Sequence, residues 1–190
     1  AEYHQGKLDQ AIDTCSAILD VKKSAEIYLT RGLLYREDEN QEAANADFTE
    51  ALNRTSKKDL IMKGRLYYYM KDYTNAKSCL EEAVKNGDQE GVYWQAELYW
   101  DSGNQDYAVS LYQNYLSGES PSHQDAYERV ASYQISQENY DDALATLEIS
   151  GLITGDLKFD ENGDAIKNYA VIKTIENGEI VYFSTFNGLE

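Results

Sequence analysis

A mainly α-helical solenoid of helix-turn-helix repeats, ending in a short C-terminal β-hairpin element, is the fold class this sequence predicts, on three observations. An alanine marks the same place in successive units, at positions 11, 44, 76, 108 and 143, at intervals of 33, 32, 32 and 35 residues. Around each alanine, small and aromatic residues recur at the spacing of one packed stripe on a short helix. After Ser150 the alanine ladder stops, and β-branched and aromatic residues alternate at strand period.

Residues 25–52 form the most complete unit. Tyr28, Gly32 and Tyr35 share a stripe on its first helix, and Ala44, Phe48 and Ala51 share one on its second, with Glu37-Asp38-Glu39-Asn40 as the polar turn between them. Gly32 and Ala44 have too little side chain to hold the two helices apart, so a close contact is expected there. One such pair cannot bury its own apolar face and must stack on neighbours.

The other units follow in order. Residues 1–24 hold Leu8, Ala11, Cys15 and Ile18, the spacing of a second helix without a complete first helix, so the array opens on half a repeat and the parent sequence is expected to continue upstream. The third unit has Leu60, Gly64 and Tyr67, then Tyr73, Ala76, Leu80 and Ala83; the fourth has Val92, Ala96 and Tyr99, then Ala108, Tyr112 and Tyr115. The fifth has Tyr127 and Ala131, then Tyr140, Ala143, Leu147 and Ser150, with Gln134 where the others carry a first-helix aromatic. Pro121, the single proline, separates the fourth unit from the fifth. Two regions are expected: the repeats over 1–151 and a strand segment over 152–190.

This period and this small/aromatic pattern resemble the tetratricopeptide repeat, a helix-turn-helix unit of about 34 residues. The resemblance covers about residues 1–151 and implies half a repeat plus four full ones. In residues 152–190, Asn162-Gly163 and Asn177-Gly178 are turn signals, and strands are expected near 156–159, 169–175 and 179–186, the last two paired as a hairpin. Gly155, Phe159, Asp160, Asn162, Gly163 and Asp164 resemble a stretch at the C-terminal end of periplasmic branched-chain amino-acid-binding proteins. That likeness omits the two-lobed body that holds a ligand in those proteins, so no ligand-binding residue is carried over.

Composition narrows the partners. With 17 basic against 34 acidic residues the net charge is −17, which repels phosphate backbones, and no basic patch interleaved with aromatics offsets it, so nucleic acid is not an expected partner. No run approaches the roughly 20 apolar residues of a membrane span. Cys15 and Cys79 fall on second helices two repeats apart, too far to bridge, and read as small buried hydrophobes. The tail resemblance and the acidic, tyrosine-rich repeats favour an exported or lipid-anchored bacterial protein over a cytoplasmic one.

Reactive chemistry finds no pattern. The Asp160-Glu161-Asn162-Gly163-Asp164 run begins like a calcium loop, but Ala165 and Val171 stand where that loop needs glycine and a bidentate glutamate. His4 and His123 lack the paired ligands of a zinc site, and no nucleophile elbow, phosphate loop or dinucleotide fingerprint is present. No enzyme activity, cofactor or metal is expected.

Seventeen tyrosines remain to be explained. Tyr28, Tyr35, Tyr67, Tyr99, Tyr112 and Tyr127 read as core. The tetratricopeptide resemblance implies that first helices line a concave surface, where positions beside the packing stripe face a bound peptide. Those positions are Arg36, Lys58, Arg65, Tyr68, Tyr69, Tyr93, Glu97 and Trp100, a set of basic groups and aromatic faces suited to an extended peptide carrying a carboxylate. Leu29 and Leu33 stand where a chaperone-tail clamp would need polar groups. The expected function is non-catalytic binding of a protein or peptide. Two alternatives are membership of an extracytoplasmic amino-acid receptor system, and self-association through the C-terminal hairpin.

Overall fold

The computed structural model describes the backbone of residues 2–118, 121–150, 153–154, 170–176 and 179–186, and side chains within 6–118 and 121–147. Nine helices run through this part: α1 (Glu2–Val21), α2 (Ala25–Glu37), α3 (Gln41–Arg54), α4 (Leu60–Tyr69), α5 (Tyr73–Lys85), α6 (Glu90–Asp101), α7 (Gln105–Leu116), α8 (Asp125–Ser136) and α9 (Tyr140–Ser150). After Ser150 the described backbone is extended, and both the strand expected near 156–159 and the Asp160–Asp164 turn lie outside the described residues. The chain divides into two compact units, Ala1–Leu98 and Tyr99–Glu190, with the boundary inside α6.

One turn design joins the two helices of every full repeat. The amides of Asn40, Asp72, Asn104 and Asn139 reach back to the carbonyls of Tyr35, Tyr67, Tyr99 and Gln134 at 2.8–3.0 Å, and the residues just before them bond Arg36, Tyr68, Trp100 and Ile135. This double closure is the Schellman motif, which needs a left-handed residue at its centre. Glu39, Lys71, Gly103 and Glu138 occupy that centre, with φ of 59°, 61°, 84° and 62°. The next side chain then caps the second helix: Asn40 accepts from the Ala43 amide at 3.1 Å and Asp72 from that of Asn75 at 3.2 Å. The polar turns expected from the sequence are thus left-handed stops, three of them occupied by non-glycine residues at some conformational cost.

In the first unit the core gathers Leu19 from α1, Tyr28 and Leu29 from α2, Ala44, Phe48 and Ala51 from α3, and Met62 and Leu66 from α4. The close approach expected at Gly32 is present: a Cβ there would lie 2.6 Å from Phe48 Cε1 and 3.3 Å from the Ala44 carbonyl oxygen. Gly64 repeats the device, its Cβ position being 2.5 Å from Leu80 Cδ2. Phe48, Leu80 and the repeat alanines 44 and 76 are wholly buried. In the half repeat, Leu8, Cys15 and Leu19 turn inward, whereas Ile18 is 42% exposed, so the stripe runs through Leu19 and not through Ile18.

A polar bond not anticipated from the sequence ties three helices of this unit together. Arg31 Nε and Nη2 donate to the two carboxylate oxygens of Asp47 at 2.7 and 2.8 Å, and Nη1 donates to Ser16 Oγ at 2.9 Å. Asp47 is buried, and its carboxylate pushes the Arg31 pKa further up. A buried carboxylate and a half-buried guanidinium are tolerable together because each is met by a fork of hydrogen bonds.

In the second unit Ala108, Tyr112, Ala126 and Ala143 are wholly buried. The buried Tyr115 hydroxyl accepts from the amides of Ser122 at 2.7 Å and His123 at 3.0 Å, fastening the chain just after Pro121. Gln134, the residue replacing the first-helix aromatic, accepts from Thr146 Oγ1 at 2.9 Å. Of the tyrosines read as core, Tyr28 and Tyr112 are buried while Tyr35, Tyr67, Tyr99 and Tyr127 are half-buried. Cys15 and Cys79 are both free thiols, the second half-buried, and burial pushes both pKa values up.

Candidate functional site

The first helices of the first unit, α2, α4 and α6, bring most of the expected residues to one place. On α4 the i, i+3, i+4 spacing sets Arg65, Tyr68 and Tyr69 on one face, and on α6 the same spacing sets Trp94 beside Glu97. Arg36 ends α2 with its guanidinium 4.7 Å over the Tyr69 ring. Its charge also suits the C-terminal turn of a helix. The Arg65 guanidinium stands 4.9 Å over the ring of Trp94.

Tyr69 is the centre of this cluster. Its ring stacks on Phe48 at 5.7 Å and meets Tyr68 and Trp94 edge-on at 5.3 and 5.8 Å. Arg65 hydrogen-bonds it, and burial pushes its pKa up against the opposing pull of Arg65 and Arg36, with Glu97 adding to the rise. Glu97 is buried at 6% exposure. Tyr93, at 3% exposure, packs edge-on against Trp94 and supports the cluster from within instead of offering a face to a ligand. Arg36 is exposed, Arg65 and Tyr68 are half-buried, and Tyr73 at 38% exposure extends the aromatic surface past Tyr68. The Arg65 Nε is buried and meets no acceptor. An unmet donor on a charged group is costly.

Two expected residues stand elsewhere. Lys58 lies in the turn between α3 and α4, exposed at the rim of a shallow cleft with Asp59, Ile61, Ala83, Asn86 and Asp88. Trp100 belongs to the second unit, half-buried, with its ring 6.1 Å from Tyr112 and the Arg129 guanidinium 5.1 Å over it. Conversely, Trp94 and Arg129 were not among the expected residues. Trp94 was legible as the i−3 neighbour of Glu97 on a first helix. For Arg129 the sequence carries no comparable signal, since its ring partner is 29 positions away.

Among the described residues no group of three or more His, Cys, Asp or Glu side chains converges as a metal site. No helix among them is long and apolar enough to cross a membrane.

Residues 61–123 and 93–150 match the family model of the tetratricopeptide repeat. Over residues 61–150 the chain is similar to tetratricopeptide repeats. A solved tetratricopeptide repeat protein from Parabacteroides merdae is 24% identical, covering 78% of this chain and 59% of its own, at a TM-score of 0.53. PilF of Pseudomonas aeruginosa is 16% identical over 81% of this chain and 72% of its own, also at 0.53. YrrB, described as having an unusual peptide-binding site, is 22% identical over 78% of each chain at 0.42. None of the curated proteins matches the sequence. The family match and the two structures at 0.53 support the helical repeat fold, and no catalytic family is indicated; the resemblance of the tail to amino-acid-binding proteins finds no support among them. Tetratricopeptide repeats as a class serve as protein- and peptide-binding scaffolds.

Proposed function

We propose that this protein is a non-catalytic scaffold that binds an extended protein or peptide segment across the face made by α2, α4 and α6 in its first unit. The observation that carries this reading is the convergence of Arg36, Arg65, Tyr68 and Tyr69 around Trp94 and Glu97, drawn from three successive first helices of one unit. Guanidinium groups and aromatic edges held by packing lose little freedom on binding, which suits them as anchors. Trp100 with Arg129 provides a comparable anchor in the second unit. Lys58 is the weakest member of the set, since its turn lies off the helix face.

The test is selection of a random-peptide phage library on the full chain, repeated on the Arg65→Ala/Trp100→Ala double variant. Peptides enriched by the parent and lost by a variant of unchanged helical circular dichroism support the reading. Equal enrichment moves the site elsewhere.

A second element of the proposal concerns residues 152–190 as a region distinct from the repeats over 1–151. Antiparallel pairing of Ala170–Glu176 with Glu179–Phe186 supports a hairpin there, and the far edge of the second strand has no strand partner among the described residues. Such an edge can pair with another chain. Light scattering of the full chain and of the chain cut at Gly151 tests this, an unchanged monomer mass in both counting against self-association.

A further inference from the structure

We propose that Arg36 and Arg65 together seat one carboxylate, that of an aspartate or glutamate inside an extended peptide; the inference rests on the reading of this face as the binding face. Both guanidinium groups already lie on aromatic rings, 4.7 Å from that of Tyr69 and 4.9 Å from that of Trp94. Stacking fixes the plane of a guanidinium and leaves its edge for a ligand, and the paired N–H groups of that edge match the two oxygens of a carboxylate. The same geometry argues against a proline-rich ligand, because a face of each of these rings is taken by arginine.

The unmet Nε of Arg65 points the same way. A buried charged donor without an acceptor calls for an explanation, and a carboxylate seated beside the stacked guanidinium supplies one.

Charge sets the size of the anion. Two arginines beside the buried Glu97 accommodate a single negative charge better than the near-double charge of a phosphate. The chain's net charge of −17 repels a polyacidic tract, so the fitting acid is isolated among apolar residues. Partly exposed apolar side chains continue beyond the arginines, Leu33 one turn before Arg36 on α2 and Tyr68 with Tyr73 at α4 and α5. Surface on both sides of the seat favours an acid within a peptide over a free C-terminus.

The experiment uses three pools of fluorescein-labelled random octapeptides with apolar-biased flanks, titrated against the full chain by fluorescence anisotropy. The first has a central Glu and an amidated C-terminus, the second a central Gln and an amidated C-terminus, the third a central Gln and a free C-terminus. The expected result is at least tenfold tighter binding of the Glu pool than of either Gln pool, with that preference lost in Arg36→Gln and in Arg65→Gln. Arg65→Lys keeps the charge without the fork and should retain only part of the preference. Arg36 is exposed, so its variant reports on the seat even if Arg65→Gln fails to fold.

Equal binding of the two amidated pools, reduced by Tyr68→Ala, overturns the carboxylate seat and leaves the peptide-binding face standing. Preference for the free C-terminus overturns the internal acid in favour of a terminal carboxylate. No binding of any pool overturns both the seat and the face.

Discussion

The α2–α3 hairpin and the α8–α9 hairpin are built on the same turn and held by different contacts. In the first, glycine 32 lets the helices close on a wholly buried Phe48, and the Arg31–Asp47 fork locks the pair to Ser16 of α1. In the second, Ala131 holds the glycine's place, a half-buried Leu147 stands for the phenylalanine, and Gln134 bonds Thr146 across the helices. The repeat specifies a small residue opposite a large one and a left-handed stop; within those limits the adhesive is interchangeable. Chemistry unused by stacking is therefore free to differ, and the arginine and aromatic surplus around Tyr69 is such a difference.

The largest effect expected from breaking this comparison is at Phe48. Phe48→Ala should cost about 3–5 kcal/mol, as emptying a fully packed core position does, while Leu147→Ala should stay near about 2 kcal/mol. Denaturant titration of the two variants checks the ranking, and equal losses would mean that the two hairpins are equally packed. Asp47→Ala should cost about 3 kcal/mol, the low end for breaking a buried pair, because the stranded Arg31 side chain is 19% exposed. Asp47→Ala with Arg31→Met in the same chain should recover most of that loss, since an apolar pair needs no hydrogen bonds.

Gly32→Ala should destabilise by about 1–3 kcal/mol through overpacking, because neither the Phe48 ring nor the Ala44 carbonyl can yield easily. Smaller still, Thr146→Val should cost about 0.5–1.5 kcal/mol by leaving the Gln134 amide oxygen without its bond. Glu39→Gly runs the other way. It should stabilise by about 1 kcal/mol by relieving a left-handed residue, whereas Gly103→Ala at the matching stop should destabilise; shifts of the thermal midpoint in opposite directions check both.

How much of this was legible before folding follows from the range of each interaction. The alanines at 44, 76, 108 and 143 and the glycines at 32 and 64 are signals written within one or two helical turns, and the structure puts each where the stripe requires. The inward side of α1 was misplaced by one residue because a single helix with Ile18 and Leu19 side by side offers two plausible stripes. The left-handed stops were hidden because Glu39, Lys71 and Glu138 carry none of glycine's signature, and only the matching Gly103 shows what the position demands. The tetratricopeptide resemblance singles out Arg36, Lys58, Arg65, Tyr68, Tyr69, Tyr93, Glu97 and Trp100, but not Trp94, which stands among six of them.

By itself the sequence determined the repeat length, the helix pairing within each repeat and the small residues at the close contacts, because these depend on a local period of 3.6 residues and on side-chain volume. Only the tertiary structure decided that Arg36, Arg65 and Glu97 meet around Tyr69, that Trp100 belongs with Arg129, and that Asp47 is buried against Arg31. Apart from that of Arg65 with Tyr69 on one helix, those meetings join residues 16 to 61 positions apart, and their distances are set by how helices stack, which no local period encodes.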